Sequence, residues 1–277
     1  MSDVQPTNLS IAFSPCPNDT FVFHALVHGL VPGAPGFDVT YADIDITNTA
    51  AERGEYDLVK VSYAALPWLL DSYRLLPCGG ALGRGCGPLV LTAGRDSLAG
   101  ATVAVPSERS TAYLLFRLWA AKNPPARVVV MPFDKIMPGV AAGAYDAGLV
   151  IHEARFTYQR YGLTQLVDLG EWWESDTGLP IPLGAILARR DRVEFDAAAE
   201  WIRASVEYAW ANPEASAGYV LAHAAEMDPD VAKAHINLYV NAFTAELGEE
   251  GFAAAETLLS RAAANDLIPA VPGSLRG

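Results

Sequence analysis

The chain has 277 residues, of which 51% are hydrophobic and 18% are charged, a composition typical of a folded globular protein. It carries 19 Lys and Arg residues against 32 Asp and Glu residues, a formal net charge of −13. Proteins that bind nucleic acids or anionic membranes need a basic patch, so this acidic chain without a run of Lys and Arg is not expected to bind either. None of its three cysteines stands in a CxxC or CxxH spacing, which argues against a disulfide framework and against a zinc knuckle.

The chain begins with a segment, Met1–Asn8, that has neither a basic region nor a long apolar stretch. It does not match a secretory signal peptide, and no later stretch approaches the roughly 20 apolar residues of a membrane span. We expect the protein to be soluble and cytoplasmic.

Short apolar runs alternate with helical stretches from about Leu9 to Arg189. The predicted strands are Leu9–Phe13, Phe37–Ile44, Asp57–Val61, Pro88–Thr92, Ala101–Val105, Arg127–Met131, Ala147–Ile151 and Leu183–Ala188. The predicted helices between them are Thr20–His28, Thr47–Gly54, Tyr63–Tyr73, Thr111–Lys122 and Asp134–Gly143, and Pro67 is expected to interrupt the third of these. From about Phe195 to Leu267 the pattern is helical only.

This alternation predicts parallel sheets that are covered by helices on both faces. The strands are too many for one compact sheet, so we expect an α/β protein with two lobes, a central cleft and a helical C-terminal region. The predicted crossings lie near Ala93–Gly94 and Pro180–Pro182. Residues 1–93 and 188–277 would form the first lobe, and residues 94–187 the inserted second lobe.

Candidate site residues are sought beyond the carboxyl ends of the strands, where open α/β sheets bind ligands. Ser14–Thr20 follows the first strand and opens a helix, a place where backbone N–H groups favour an anion. Ser110 and Thr111 repeat this arrangement in the second lobe. An ordinary capped turn is the alternative role of both segments.

Several single residues stand out at strand ends. Lys60 interrupts an apolar strand, so it lies either at a sheet edge or facing the cleft, and Ser62 would cap the next helix. His152 directly follows a buried strand and is a candidate general base, with a structural histidine as the alternative. Cys16 lies at a helix N-terminus, which can lower a thiol pKa, but no histidine neighbours it in sequence and a structural role is favoured.

Several segments together resemble the 1,4-dihydroxy-6-naphthoate synthase family, which acts in the futalosine route to menaquinone. The matching segments are Ser14–Phe21 (SPCPNDTF), Lys60–Ala64 (KVSYA), Gly80–Pro88 (GALGRGCGP), Thr111–Tyr113 (TAY), Ile151–Gly162 (IHEARFTYQRYG), Val167–Trp173 (VDLGEWW), Gly178–Arg190 (GLPIPLGAILARR) and Tyr239–Phe243 (YVNAF). They extend over nearly the full chain, and the combination of SPCPNDTF with IHEARFTY is specific.

The resemblance implies a periplasmic-binding-protein-like (type II) bilobal fold. It also implies a lyase that converts cyclic dehypoxanthinyl futalosine to 1,4-dihydroxy-6-naphthoate and dihydroxyacetone. The family's catalytic histidine falls on His152, and its substrate contacts fall on Lys60, Val61, Ser62, Thr111 and Ala112, with Asn48 as a cleft asparagine. We expect Ser14 and Ser110 to complete the site for a small-molecule carboxylate substrate. No metal, organic cofactor, nucleic acid or membrane partner is expected, and the oligomeric state is not predicted.

The mechanism inferred from these assignments is carbon–carbon cleavage driven by formation of the aromatic ring. His152 would remove a hydroxyl proton, a retro-aldol-type fragmentation would follow, and the hydroxyls and helix N-termini at Ser62, Ser110 and Thr111 would hold the carboxylate, with Lys60 adding charge. Two alternatives stay open: a non-catalytic cytoplasmic solute-binding module, and the sister chorismate dehydratase of the same pathway. The missing signal-peptide pattern and the cleft histidine count against the first, and the SPCPNDTF loop counts against the second.

Overall fold

Two β-sheets form the framework of the protein, and the computed structural model describes residues 8–224, 228–271 and 273–276. Within these residues the strands are β1 Leu9–Phe13, β2 Phe37–Tyr41, β3 Leu58–Ser62, β4 Tyr73–Leu75, β5 Ala81–Gly83, β6 Leu89–Thr92, β7 Thr102–Val105, β8 Arg127–Val130, β9 Ala147–Val150, β10 Thr164–Asp168 and β11 Ile181–Arg189. The α-helices are α1 Pro17–Val27, α2 Ile44–Glu52, α3 Thr111–Ala120, α4 Phe133–Ala141, α5 Ala154–Thr157, α6 Leu169–Thr177, α7 Phe195–Ala211, α8 Ala217–His223, α9 Pro229–Tyr239, α10 Ala242–Ala245 and α11 Gly248–Ala264. Short 3₁₀ segments span Tyr63–Trp68, Tyr158–Tyr161 and Pro213–Ser216.

Both sheets are mixed. The first has the strand order β2–β1–β3–β11–β4, with β5 also paired to β11, and the second has the order β10–β6–β9–β7–β8. β1 runs parallel to β2 and β3, and β7 runs parallel to β8 and β9. The prediction of purely parallel sheets is wrong for β11, which is antiparallel to β3, and for β6, which is antiparallel to β9. Each of these strands arrives from the other lobe without a crossover helix in its own sheet, so no connection forces it to run parallel.

The two sheets correspond to two α/β lobes. β6 lies in the second sheet, whereas the whole of β11 lies in the first. The chain therefore crosses between the lobes before Leu89 and again before Ile181. These two changes of sheet lie about one strand before the lobe boundaries expected at residues 93/94 and 187/188, which stay a prediction.

Two predicted helices differ from the structure for reasons of proline chemistry. α1 begins at Pro17, three residues before the predicted start, because proline suits the first position of a helix, where its missing N–H costs no hydrogen bond. The predicted helix Tyr63–Tyr73 is a 3₁₀ segment that ends at Trp68 and is followed by β4. Pro67 inside it cannot donate the hydrogen bond that a continuing α-helix requires.

One apolar cluster runs through both lobes and positions the cleft between them. It joins Val59 and Leu66 of the first lobe to Val103 and Leu115 of the second, and Leu258 of α11 packs into the same cluster. A second cluster buries α1 and α7 against the outer face of the first sheet. The helical C-terminal region therefore supports the first lobe and also backs the junction of the two.

The described part of the chain contains no helix that is long and apolar enough to cross a membrane. The cytoplasmic location stays a prediction.

Candidate functional site

A cavity of about 90 Å³ lies where the two lobes meet. Both lobes contribute to its lining, which includes Asn18, Lys60, Ser62, Ser110, Thr111, Ala112, His152, Gly184 and Tyr239. It opens into a larger cavity that is lined by Cys16, Asp43, Phe133 and Glu153 and that shares His152 and Ser110 with the first. Six of the nine residues predicted for the site therefore line one cavity, while Ser14, Asn48 and Val61 lie behind it.

His152 occupies the turn after β9 with a backbone angle φ of 54°. This left-handed conformation is uncommon for a residue other than glycine, and such positions cluster at functional sites. Its imidazole ring lies edge-on against Phe133, at 5.7 Å between ring centroids, and roughly parallel to the ring of His235 at 6.3 Å. The turn and these packing contacts hold the imidazole in the cavity.

The thiol of Cys16 contacts His152 directly. Its Sγ lies 3.3 Å from Nδ1 of His152, at the N-cap of α1. Burial raises the pKa of this thiol well above its ordinary value, and the carboxylates of Glu153 and Asp19 raise it further, against smaller opposite effects from Ser14 and Lys60. The lowered thiol pKa considered from sequence is therefore wrong, because desolvation outweighs the helix N-terminus. A neutral thiol can donate a hydrogen bond to Nδ1 or accept one from it, depending on which ring nitrogen carries the proton.

Lys60 faces the cavity and is not at a sheet edge. It lies in β3, a central strand of the first sheet, and is 5% exposed. Its ammonium group forms a buried ion pair with Asp19, on the first turn of α1. Asn18 donates a hydrogen bond of 2.8 Å to the same carboxylate. The ion pair explains how a lysine is tolerated in an apolar strand.

Asn48 acts behind the cavity, where it fixes the end of β3. Its Oδ1 accepts a 2.8 Å hydrogen bond from the backbone N–H of Ser62, and its Nδ2 donates to the Ser62 hydroxyl at 3.2 Å. The same Nδ2 donates to the carbonyl of Arg109, in the other lobe, at 3.4 Å. Asn48 is fully buried, so it positions Ser62 and ties the two lobes together.

The N-terminus of α3 presents its first residues to the cavity. Ser110 caps the helix by accepting a 3.1 Å hydrogen bond from the N–H of Tyr113. This is the capping role that the sequence offered for Ser110. The hydroxyl of Thr111 donates to the carbonyl of Leu183 at 2.8 Å and accepts from the N–H of Ala64 at 3.2 Å. Because these hydroxyls already have partners and the N–H of Tyr113 is capped, the groups open to an anion are the N–H groups of Thr111 and Ala112, which have no intrahelical acceptor.

The remaining predicted residues shape the site from behind. Ser14 is buried, and its hydroxyl accepts a 3.0 Å hydrogen bond from the N–H of Cys16, which orders the loop before α1. Val61 is fully buried in β3 and pairs with Ala185 of β11. Both residues place their neighbours in the cavity and do not line it.

His235 of α9 is a functional neighbour that sequence reasoning missed. It is 1% exposed, and its Nδ1 has no hydrogen-bond partner within the described residues. Burial lowers its pKa well below the ordinary value, and the charges of His152 and Lys60 lower it further. A neutral second imidazole therefore lies beside the ring of His152. No local signal identifies it, since it lies 83 positions further along the chain.

The structure brings together three side chains that could bind a metal ion, although no metal was expected from the sequence. Cys16, His152 and Glu153 each offer one ligand atom, and these atoms lie within 4.8 Å of one another. Within the described residues this is the one group of at least three histidine, cysteine or acidic residues so arranged.

The sequence profile of the family described as menaquinone biosynthesis matches residues 9–264. The chain belongs to this family. It is 66% identical to a protein of Streptomyces coelicolor over 95% of both chains, and 49% identical to one of Thermus thermophilus over 96% of this chain and 98% of that protein. Both relatives are named 1,4-dihydroxy-6-naphtoate synthase. Membership of the menaquinone-biosynthesis family assigns the chain a role in that pathway.

Solved structures agree with the fold. A protein of Archaeoglobus fulgidus is 34% identical, with a TM-score of 0.88 over 94% of this chain and 98% of that one. The alkanesulfonate-binding protein SsuA of Xanthomonas axonopodis pv. citri, solved with bound MOPS, superposes with a TM-score of 0.74 at 14% identity over 96% of each chain. The menaquinone-biosynthesis chain therefore has the predicted periplasmic-binding-protein-like fold.

Proposed function

We propose that this protein is a 1,4-dihydroxy-6-naphthoate synthase that cleaves cyclic dehypoxanthinyl futalosine into the naphthoate and dihydroxyacetone, with His152 as the general base. The observation that carries the proposal is the placement of His152. Its imidazole stands in the cavity between the lobes, on a left-handed turn, in contact with the thiol of Cys16. A site that only bound a carboxylate would need hydrogen-bond donors but no titratable base at this position.

The reaction is a carbon–carbon cleavage that starts with a proton transfer. His152 takes the proton of a substrate hydroxyl, and the oxygen becomes a carbonyl as the adjacent carbon–carbon bond breaks. The bonding electron pair passes into the ring that remains, which becomes aromatic, and the proton returns to that product. Aromatisation supplies the driving force, so the protein's task is to orient the hydroxyl toward the base and to exclude water.

The substrate is a small-molecule carboxylate, and the cavity offers it hydrogen-bond donors from both lobes. The open N–H groups of Thr111 and Ala112 at the start of α3 suit a carboxylate, and the helix dipole adds to their attraction. The hydroxyl of Ser62 lies on the opposite wall, next to Lys60. Because Lys60 is already paired with Asp19, the neutral donors carry most of the recognition.

The test is to incubate purified protein with cyclic dehypoxanthinyl futalosine and to detect the naphthoate and the three-carbon fragment by mass spectrometry. We expect both products in equal amounts, and neither from His152→Gln. Binding of the substrate without turnover would instead identify a solute-binding module. Conversion of chorismate in a parallel incubation would identify the sister dehydratase.

A further inference from the structure

We propose that Cys16, His152 and Glu153 form a binding site for a thiophilic divalent cation such as Zn²⁺, and that a cation held there blocks the base. The inhibition rests on the proposed function, whereas binding of the cation does not.

The spacing of the ligand atoms matches such an ion. Zinc binds sulfur at about 2.3 Å and imidazole nitrogen at about 2.0–2.1 Å, so in a tetrahedral site the two atoms are roughly 3.5 Å apart. Sγ of Cys16 and Nδ1 of His152 are already 3.3 Å apart. An oxygen of the Glu153 carboxylate lies within 4.8 Å of both, so one residue from the first lobe and two from the second present ligand atoms to the same point.

The third ligand has no other partner. Glu153 is 8% exposed, and its carboxylate makes no hydrogen bond or ion pair with any residue that the structure describes. A cation would give this carboxylate the partner that the described residues do not supply. Lys60, the nearby cation, is bound to Asp19 instead.

The surroundings admit a cation from solvent. All three ligands line the larger cavity, and Asp43 and Asp45 line it as well. Carboxylates at the entrance attract cations, as does the net charge of −13. The cavity leaves a fourth coordination position for water or for an oxygen of a ligand.

Binding exchanges a proton for the cation. The thiol of Cys16 is protonated in the free protein, since burial, Glu153 and Asp19 raise its pKa and the opposing effects of Ser14 and Lys60 are smaller. Coordination requires the thiolate, so each bound cation releases one proton from sulfur to solvent.

A cation bound to Nδ1 would prevent His152 from acting as a base. A cation on Nδ1 occupies that lone pair and leaves the ring proton on Nε2, so neither nitrogen can accept a proton from the substrate. The N-terminus of α3 is untouched, so the product carboxylate still binds. The cation would lower kcat and leave binding of the naphthoate intact.

Cobalt(II) is the direct probe, because a cobalt–thiolate bond gives a charge-transfer band in the near ultraviolet. We expect this band when Co²⁺ is titrated into the wild-type protein, and its loss in Cys16→Ser. Glu153→Gln should weaken Co²⁺ binding by at least about tenfold, since even groups that only support metal ligands change affinity by 10–100-fold. Cys78→Ser is the matched control, because Cys78 is buried outside the cavity and the variant should keep the band.

The absence of a charge-transfer band in the wild-type protein, or an equal band in Cys16→Ser, overturns the site. Circular dichroism tests whether each variant is folded. If Cys16→Ser does not fold, the comparison of the wild type with Glu153→Gln still decides whether the site exists.

The activity assay tests whether the bound cation blocks the base. Zn²⁺ should inhibit the wild type, EDTA should reverse the inhibition, and Zn²⁺ should inhibit Cys16→Ser at least about tenfold more weakly. A band without inhibition overturns the blocking of the base. If the protein forms no naphthoate at all, the proposed function fails while the cobalt spectrum still decides the site.

Discussion

The thiol of Cys16 and Nδ1 of His152 lie 3.3 Å apart although the residues are 136 positions apart in the chain. Cys16 caps α1 in the first lobe, and His152 follows β9 in the second. The contact therefore links the two lobes at the candidate base. Cys16 has the geometry of a positioning residue that fixes the imidazole and the nitrogen that carries its proton.

Replacing Cys16 tests this role. Cys16→Ala removes the partner of Nδ1, and a hydrogen bond is worth about 0.5–1.5 kcal/mol, so kcat should fall by roughly 2- to 12-fold with KM little changed. Cys16→Ser keeps a hydrogen-bonding group and should recover most of the activity. The pH dependence of kcat should also shift in Cys16→Ala, and identical profiles in all three proteins would assign Cys16 a packing role only.

Asn48→Ala should both destabilise the protein and weaken substrate binding. It leaves the buried N–H of Ser62 without its acceptor, which costs about 1–3 kcal/mol, and it frees the Ser62 hydroxyl from its fixed position. Urea unfolding and KM measure the two effects. Thr49→Ala is the control on the same helix, since Thr49 is exposed and bonds only to the carbonyl of Asp45. Equal behaviour of the two variants would contradict the positioning role of Asn48.

His235 makes the stability of the protein depend on pH. Its pKa is lowered in the folded state, so the unfolded chain binds more protons than the folded protein at mildly acidic pH. The protein therefore loses stability as the pH falls below about 6.5, the pKa of histidine in an unfolded chain. His235→Phe removes this group and should flatten the dependence. Denaturant unfolding of both proteins at neutral and mildly acidic pH gives the comparison. Parallel losses of stability in the two proteins would mean that His235 is not held neutral by the fold.

Thr111 joins the lobes through its hydroxyl, and its removal should open the cleft. Thr111→Val loses the hydrogen bonds to Leu183 and Ala64 while keeping the shape of the side chain. We expect a higher KM and a larger radius of gyration by small-angle scattering, and saturating product should compact the wild type. A variant with unchanged KM and unchanged scattering would show that the cleft is preformed and does not depend on this contact.

Local patterns were sufficient for much of the fold. Apolar runs identified β1, β3 and β9, and the Ser110 cap before an amphipathic stretch identified α3, because each depends on residues close together in sequence. The strands β4, β5 and β10 have no such signal: two are three residues long, and β10 is largely half-exposed. The directions of β6 and β11 depend on how the chain returns between the lobes, which no local pattern records.

The site was predictable only where single residues carry a signal. His152, Lys60 and Ser62 stand out at strand ends, and the structure brings them into one cavity. Their partners do not stand out, because the contacts of Lys60 with Asp19 and of His152 with Cys16 depend on tertiary packing. For the same reason, Asn48 and Ser14 were expected as substrate contacts, whereas both lie behind the cavity.

Single-turnover kinetics of the wild type and His152→Gln test the central claim most directly. A positioned base contributes about 10²–10⁴-fold, so the rate of naphthoate formation from cyclic dehypoxanthinyl futalosine should fall by that factor in the variant. Affinity for the naphthoate should stay the same, because the N-terminus of α3 is unchanged. Turnover by His152→Gln at a rate close to that of the wild type would contradict the assignment of His152 as the base and, with it, the mechanism proposed for this cleft.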